Sequence, residues 1–194
     1  MKRAEKNMDS PSTDNEREAF YFRHVDYAGY RRVDGLWDIE GHFVDRRTTD
    51  CPCVDRGGTI RAGEAFHEMF LTLTVDDDLF IRELKVKIDK HPYKQCPLAQ
   101  SVFRNATGLQ ISAGFSKELR RRIPKKLACT HLFSLLIGAA AAAFQTLAQV
   151  RMMKYCRGVR PDALDTCLAW DASGEMVKRE WPDFYREPVS CEEE

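Results

Sequence analysis

Three stretches in the first half of the chain alternate between apolar and polar residues, the pattern of β-strands that are buried on one face. The first is GLWDIEGHFVD. One of its faces carries Trp37, Ile39 and Phe43, and the other carries Asp38, Glu40 and His42. The second, AFHEMFLTLTV, carries on one face His67, Met69, Leu71, Leu73 and Val75. The third, LFIRELKVKID, alternates again, and the acidic run 76–78 before it predicts an antiparallel hairpin.

In the second half of the chain, the spacing of apolar residues widens from two to three or four, which predicts helices. The stretch CPLAQSVFRNATGL can form a helix with Pro97 in its first turn, and FSKELRRRI can form another that ends before Pro124. A long apolar helix is predicted from about Thr130 to Met153. The C-terminal stretch 165–187 predicts a hairpin followed by an irregular end.

Strands followed by helices indicate an α+β fold, in which helices pack on one face of an antiparallel sheet of about three to five strands. The loop RRTTDCPCVDRGGTIR between the first two strands is rich in turn-forming residues and predicts a loop or a short hairpin. Residues 1–18 are polar, charged and without periodicity. We therefore expect a disordered N-terminal tail followed by a single domain over residues 19–194.

Composition narrows the classes of function. The 30 Lys and Arg residues balance the 30 Asp and Glu residues, so the sequence lacks the basic excess typical of nucleic-acid binding. The N-terminus has no apolar signal segment, and Gln145 and Gln149 interrupt the longest apolar stretch, which favours a buried helix over a membrane span. We expect a cytoplasmic protein with neither a nucleic-acid nor a membrane partner, whose 7 cysteines are mostly reduced thiols.

The polar face of the first predicted strand is one candidate site, because a carboxylate beside an imidazole tunes that ring for acid–base chemistry. Asp38, Glu40 and His42 supply these groups. A wetted surface is the alternative, since solvent covers one face of many antiparallel sheets. Two features favour a site: His67 interrupts an otherwise apolar face of the next strand, and Arg32 lies just before the polar residues.

Two further clusters contain groups that bind metals or act as nucleophiles. Cys129 and His131 lie at the start of the long helix, where the helix dipole favours a thiolate and a neutral imidazole. Packing in the core is the alternative for both residues. The junction between the third strand and the first helix carries Asp89, His91, Tyr93 and Cys96. The sequence contains no P-loop, GxGxxG, GxSxG or HExxH motif, so the usual nucleotide-binding, serine hydrolase and metalloprotease classes have no support.

Several of these stretches resemble a known family. YRRVDGLWDIEGHFVD, AGEAFHEMFLTLTVDDDLFI, HPYKQC, CTHLFSLL and AFQT occur in the same order in the bacterial family named domain of unknown function 2889, and the resemblance covers about residues 24–186. Members of that family are associated with the breakdown of aromatic and other hydrophobic compounds. The resemblance therefore implies a catabolic enzyme that needs no cofactor and has a largely apolar pocket between sheet and helices.

The reaction that this resemblance implies is that of a carbon–carbon lyase, with an isomerase as the nearest variant, because both need a base, an acid and an oxyanion partner. Its concrete version is the loss of a small aldehyde, such as formaldehyde, from the hydroxymethyl side chain of a lignin-derived aromatic. The hydroxyl proton would go to one of three side chains, Asp38, Glu40 or His42. Arg32 or Tyr93 would steady the developing negative charge, and His67 completes the catalytic set.

The sequence also permits two hypotheses other than an enzyme. The order of strands, cysteines and helices also resembles iron–sulfur scaffold proteins, which implies a zinc or iron–sulfur site made of Cys96, Cys129 and His131. A non-catalytic partner subunit would instead dock through the arginine-rich segment 117–126. For the enzyme we expect a small hydrophobic aromatic substrate, with a homodimer left open, and a pocket lined by Trp37, Phe43, Phe70 and Phe144.

Overall fold

The structure is a computed structural model that describes residues 18–155 and 159–188, without the side chains of residues 153–155. Residues 1–17 of the expected disordered tail therefore lie outside the described residues. In the described part, a four-stranded antiparallel sheet carries a long helix on one face, and a small two-stranded sheet lies between two of its strands in the chain. The α+β prediction, with its antiparallel sheet followed by helices, is confirmed.

The main sheet has the strand order β1 (Tyr21–Arg31), β2 (Trp37–Arg47), β5 (Ala65–Val75), β6 (Ile81–Lys90). All neighbouring strands in it are antiparallel. The loop between β2 and β5 forms the short hairpin of β3 (Cys51–Cys53) and β4 (Gly58–Ile60). The alternation of β2 and β5 arises because only one face of the sheet faces the helix, so every second side chain is buried in the core.

The predicted hairpin between β5 and β6 is confirmed, and Asp76 fixes its turn. The Asp76 carboxylate accepts the backbone N–H groups of Asp78 at 3.0 Å and Phe80 at 2.9 Å, and it pairs with the Arg82 guanidinium. The acidic run therefore serves the turn, where an Asp side chain replaces backbone partners that a strand would otherwise supply.

The helix α2 (Thr130–Tyr155) lies against β1, β2 and β5 and completes the core. Its buried residues are Leu132, Leu135, Leu136, Ala139, Ala140, Ala143 and Leu147. The helix approaches β1 closely at Gly138, where an added Cβ would lie 2.6 Å from Tyr27 Cζ. The Tyr27 hydroxyl donates to the Leu135 carbonyl oxygen at 3.1 Å, which anchors the helix on the edge strand.

The segment Thr130–Met152 of α2 is long and apolar enough to cross a membrane, with a mean hydropathy of 1.5. In the structure, one side of this segment packs on the sheet, and a third of its most apolar window is buried. The buried residues named above are four leucines and three alanines, so the helix adds leucine side chains to the core and also packs closely against the strands where its residues are small.

The other two predicted helices are confirmed in part. The helix α1 (Phe115–Arg122) ends just before Pro124, as predicted. The stretch that contains Pro97 is a 3₁₀ helix over Cys96–Ala106 rather than an α-helix. It packs against β6 and buries Phe103 and Ala106.

The C-terminal hairpin prediction is wrong. Residues Glu175–Glu180 form the short helix α3, and the chain around it folds on a small separate core that includes Val177. Asp171 explains the difference, because its Oδ1 accepts both the N–H and the hydroxyl of Ser173 and so turns the chain into the helix. The rings of Trp170 and Trp181 stack with centroids 4.2 Å apart on this core.

Candidate active site

Three side chains from three different elements meet at the end of the sheet where α2 begins. Asp45 lies near the end of β2, His67 is its direct cross-strand neighbour on β5, and His131 lies in the first turn of α2. Asp45 belongs to the face of β2 that also carries Trp37 and Phe43, so it points toward the helix and is buried. We call these three residues the Asp45–His67–His131 cluster.

Four donors surround the Asp45 carboxylate, whose residue is only 2% exposed. His67 donates its backbone N–H at 2.9 Å and its ring Nδ1 at 3.0 Å, both to Oδ1. On Oδ2, the Tyr21 hydroxyl donates at 2.8 Å, and Arg23 Nη2 lies 3.6 Å away. Because a carboxylate can only accept, the proton of this contact belongs to Nδ1, which leaves Nε2 of a neutral His67 ring as a free base.

His131 brings a second imidazole against the first. The ring centroids of His67 and His131 are 4.1 Å apart, and the Phe43 ring lies 5.3 Å from His131. Burial lowers the pKa of His131, the nearby His67 and Arg23 charges lower it further, and the Asp45 charge offsets part of this effect. At neutral pH His131 is therefore an uncharged ring that can accept or donate a single hydrogen bond.

Cys129 immediately precedes α2, and its carbonyl oxygen accepts the N–H of Phe133 at 3.0 Å. Its Sγ lies 3.9 Å from Nδ1 of His131 and 3.9 Å from the sulfur of Met69. Burial raises the pKa of the Cys129 thiol, the N–H groups of Leu132 and His131 lower it in part, and Cys96 raises it again. The net increase means that the helix dipole does not produce the expected thiolate, because burial outweighs it.

Acid stability gives a direct check on the Asp45 interactions. Burial alone would raise the pKa of Asp45, but its hydrogen bonds from His67 and Tyr21 and the His67 charge lower it to about 2. The folded-state pKa thus lies below the unfolded value, so the carboxylate contributes about 2 kcal/mol of stability above pH 4, which is lost as the pH falls toward 2. Urea unfolding measured between pH 4 and 2 should show this loss of stability in the wild type. The stability of Asp45→Asn should depend less on pH, and an equal pH dependence in both proteins would contradict the stabilising role of the Asp45 carboxylate.

The polar face predicted from the sequence lies on the other side of the sheet. Asp38 accepts the Thr74 hydroxyl at 2.6 Å and Arg32 Nη1 at 3.4 Å, which makes it part of a structural network. His42 lies 3.1 Å from Glu68 Oε1 and stacks on Phe70, with ring centroids 4.6 Å apart. Glu40 is exposed. These residues face away from α2, so they do not join His67 in one site.

The other predicted site residues also separate. Trp37 and Phe43 are packed in the core, and Phe144 is partly buried against it. Phe70 lies on the opposite face, and Tyr93 is 62% exposed. The four aromatic residues expected to line a pocket therefore do not share one. At the Asp45–His67–His131 cluster, the structure brings together His67 from the predicted catalytic set, Phe43 from the predicted pocket, and His131 with Cys129 from the predicted metal set.

Three residues of this site were not predicted from the sequence. They are Asp45 of the cluster and the two residues that contact its carboxylate, Tyr21 and Arg23. Asp45 did leave a signal, because it continues the alternation of Trp37, Ile39 and Phe43 and thus places a carboxylate on an apolar face. Tyr21 and Arg23 lie on β1, an edge strand whose mixed aromatic and charged residues do not alternate in burial and gave no signal.

The Asp45–His67–His131 cluster also has the composition of a metal site. One ligand atom from each residue can be chosen so that all lie within 4.8 Å of one another. Two imidazoles and a carboxylate suit zinc or another divalent transition ion. The four donors around Asp45, however, already occupy the roughly four lone-pair sites of its carboxylate, so a metal would have to displace one of them. The geometry thus favours a carboxylate that orients His67.

Comparison with known proteins identifies the family and nothing beyond it. No curated protein and no solved structure matches the chain. The model of the family described as "Protein of unknown function (DUF2889)" matches residues 21–145, which include all four strands of the main sheet, the cluster and most of α2. This match covers well over half of the 194 residues, and the chain belongs to the DUF2889 family.

Proposed function

We propose that this protein is a cofactor-independent carbon–carbon lyase that releases a small aldehyde, such as formaldehyde, from a hydrophobic and aromatic small molecule. The observation that carries the proposal is the 3.0 Å contact between His67 Nδ1 and the buried Asp45 carboxylate. A carboxylate in that position holds an imidazole in one tautomer and stabilises the charge it gains when it accepts a proton. An isomerase would use the same pair.

The reaction requires one proton to move from the substrate to His67 and then back to the product. His67 Nε2 takes the proton of the substrate hydroxymethyl group as the carbon–oxygen double bond of the aldehyde forms and the adjacent carbon–carbon bond breaks. The electron pair of that bond stays on the retained carbon, where a neighbouring aromatic ring spreads the charge. The protonated His67 then delivers the proton to that carbon, so a hydroxymethyl compound becomes the aldehyde and a shortened product without an oxidant or reductant.

The surroundings of the cluster suit such a substrate. The Phe66 ring meets the His67 ring edge-on with centroids 5.0 Å apart, and Phe43 lies beside His131. The Arg23 side chain is 46% exposed and lies over the Phe43 ring at 4.9 Å. The Phe66 ring can hold an aromatic substrate beside His67, and the Arg23 cation at the open side can stabilise negative charge that develops during bond cleavage.

A formaldehyde-release assay on a panel of hydroxymethyl aromatics tests the proposal, with and without a chelator. We expect chelator-resistant release. The double variant Asp38→Asn/His42→Ala should keep it within about twofold, because these residues lie on the opposite face. Loss of release in this variant with an intact fold would return the site to the polar face. Absence of aldehyde from every panel member would count against the lyase.

A metal-binding protein is the second candidate, favoured by the ligand spacing in the Asp45–His67–His131 cluster. Elemental analysis and an ultraviolet-visible spectrum of freshly purified, untagged protein separate the two proposals. Near-stoichiometric zinc or iron that disappears in His131→Ala would support the metal site. Metal retained in that variant but lost on Cys96→Ser would instead point to the thiols predicted from the sequence.

A further inference from the structure

Arg47 lies on the same face of β2 as Asp45, two residues further along, and within the described residues its guanidinium makes no hydrogen bond or ion pair. Its carbon Cζ lies over the Phe66 ring at 5.2 Å, so the side chain borders the ring that meets His67. Its Nε is buried and has no hydrogen-bond partner among the described residues. Such a donor costs about 1–3 kcal/mol when left unsatisfied, so an acceptor that reaches it would be favoured.

Arg23 provides a second guanidinium near the first. In the register of β1 and β2, Arg23 pairs with Asp45 and Tyr21 pairs with Arg47, so the two arginines are diagonal neighbours. Diagonal neighbours on one face lie about 7–8 Å apart at their Cα atoms, and long side chains readily span that distance. Arg23 Nε donates to the Tyr21 hydroxyl at 2.8 Å, which holds the guanidinium beside the cluster.

The charges at this end of the sheet do not balance. Asp45 faces Arg23 at 3.6 Å and is the only carboxylate within ion-pair distance of either arginine in the described part of the chain. Two guanidiniums thus lie near one carboxylate. An anion placed between the arginines would remove the excess positive charge and give Arg47 Nε the acceptor it lacks.

We propose that the substrate carries a carboxylate that Arg47 and Arg23 bind together, while its aromatic body lies along Phe66 beside His67. This inference rests on the proposed function and narrows its substrate to aromatic acids. A carboxylate suits the site because a guanidinium binds its two oxygens through Nε and one Nη in a planar pair, and Arg47 has Nε available. The Phe66 ring under Arg47 would hold the apolar part of the same molecule.

Cinnamate and its neutral amide, cinnamamide, form a matched pair of probes for this site. Their affinities can be measured on the whole protein by calorimetry, with the ring proton signals of His67 and His131 followed by NMR. We expect cinnamate to bind about 10–100-fold more tightly than cinnamamide and to shift both histidine signals. Arg47→Met should abolish this preference, and Arg47→Lys should keep only part of it because the charge remains without Nε.

Arg46→Met is the control. This substitution also removes one positive charge, but from the neighbouring position on the opposite face of β2. Equal affinity for the two probes in the wild type would overturn the inference, as would equal losses in Arg46→Met and Arg47→Met. Binding does not require turnover, so preference for cinnamate in a protein that releases no aldehyde would refute the lyase alone. Aldehyde release combined with indifference to the carboxylate would refute only the substrate class.

Discussion

His67→Gln is expected to lower aldehyde release about 10²–10⁴-fold, the usual contribution of a positioned general base. Glutamine can still hydrogen-bond to Asp45, so the buried carboxylate keeps a partner in the variant, but its amide cannot take up a proton at neutral pH. The measurement is kcat/KM for the best substrate of the panel. The effect should fall mainly on kcat, because the base acts in bond cleavage and not in binding.

His42→Gln is the matched control for this variant. His42 is also an imidazole on the sheet, and it also lies close to a carboxylate, Glu68, at 3.1 Å. It faces away from α2, so its replacement should leave kcat/KM within about twofold of the wild type. Equal losses in the two variants, or full activity of a folded His67→Gln protein, would refute the role of His67.

Gly138→Ala should lower the free energy of unfolding by about 1–3 kcal/mol, although alanine is the better helix former. The added Cβ would lie 2.6 Å from Tyr27 Cζ, and such overpacking costs about 1–3 kcal/mol. The displaced Tyr27 hydroxyl also loses its bond to the Leu135 carbonyl, at a cost of about 1 kcal/mol, while the gain in helix propensity is about 1 kcal/mol. Urea unfolding measures the sum.

Tyr27→Phe shows whether the clash is the cause. Alone, this change should cost about 1 kcal/mol, because it removes only the hydrogen bond to α2. Combined with Gly138→Ala, it should cost less than the two single changes added together, since the missing hydroxyl frees part of the space that the new Cβ needs. Strict additivity, or a Gly138→Ala protein as stable as the wild type, would contradict the close approach of helix and strand.

The alternation of apolar and polar residues predicted β2, β5 and β6 and the two faces of β2 correctly. It could not show which face holds a site, because that depends on where the distant helix α2 packs. Since α2 lies on the Trp37 face, the polar residue of β2 that meets His67 and His131 is Asp45, the one carboxylate on that face of β2. Asp38, Glu40 and His42 lie on the opposite face, and their catalytic role stays a prediction.

The sequence identified His67 and His131 as unusual residues, but it did not predict that they lie next to each other. His67 interrupts the apolar face of β5, and His131 lies at the start of an apolar helix, so each looked unusual in its own segment. Only the packing of α2 on the sheet places their rings 4.1 Å apart. The thiolate expected at Cys129 fails for a related reason, because the same packing buries the sulfur and raises its pKa.

The pairing of Asp45 and His67 across neighbouring strands would tie the proposed chemistry to the cooperativity of folding. The two residues are 22 positions apart in the chain, and His131 joins them only when the helix is in place. No isolated hairpin or helix therefore carries a working set of groups. A partly unfolded molecule would have no partial activity, and turnover per molecule would report directly on the fraction of chains whose sheet and helix are fully assembled.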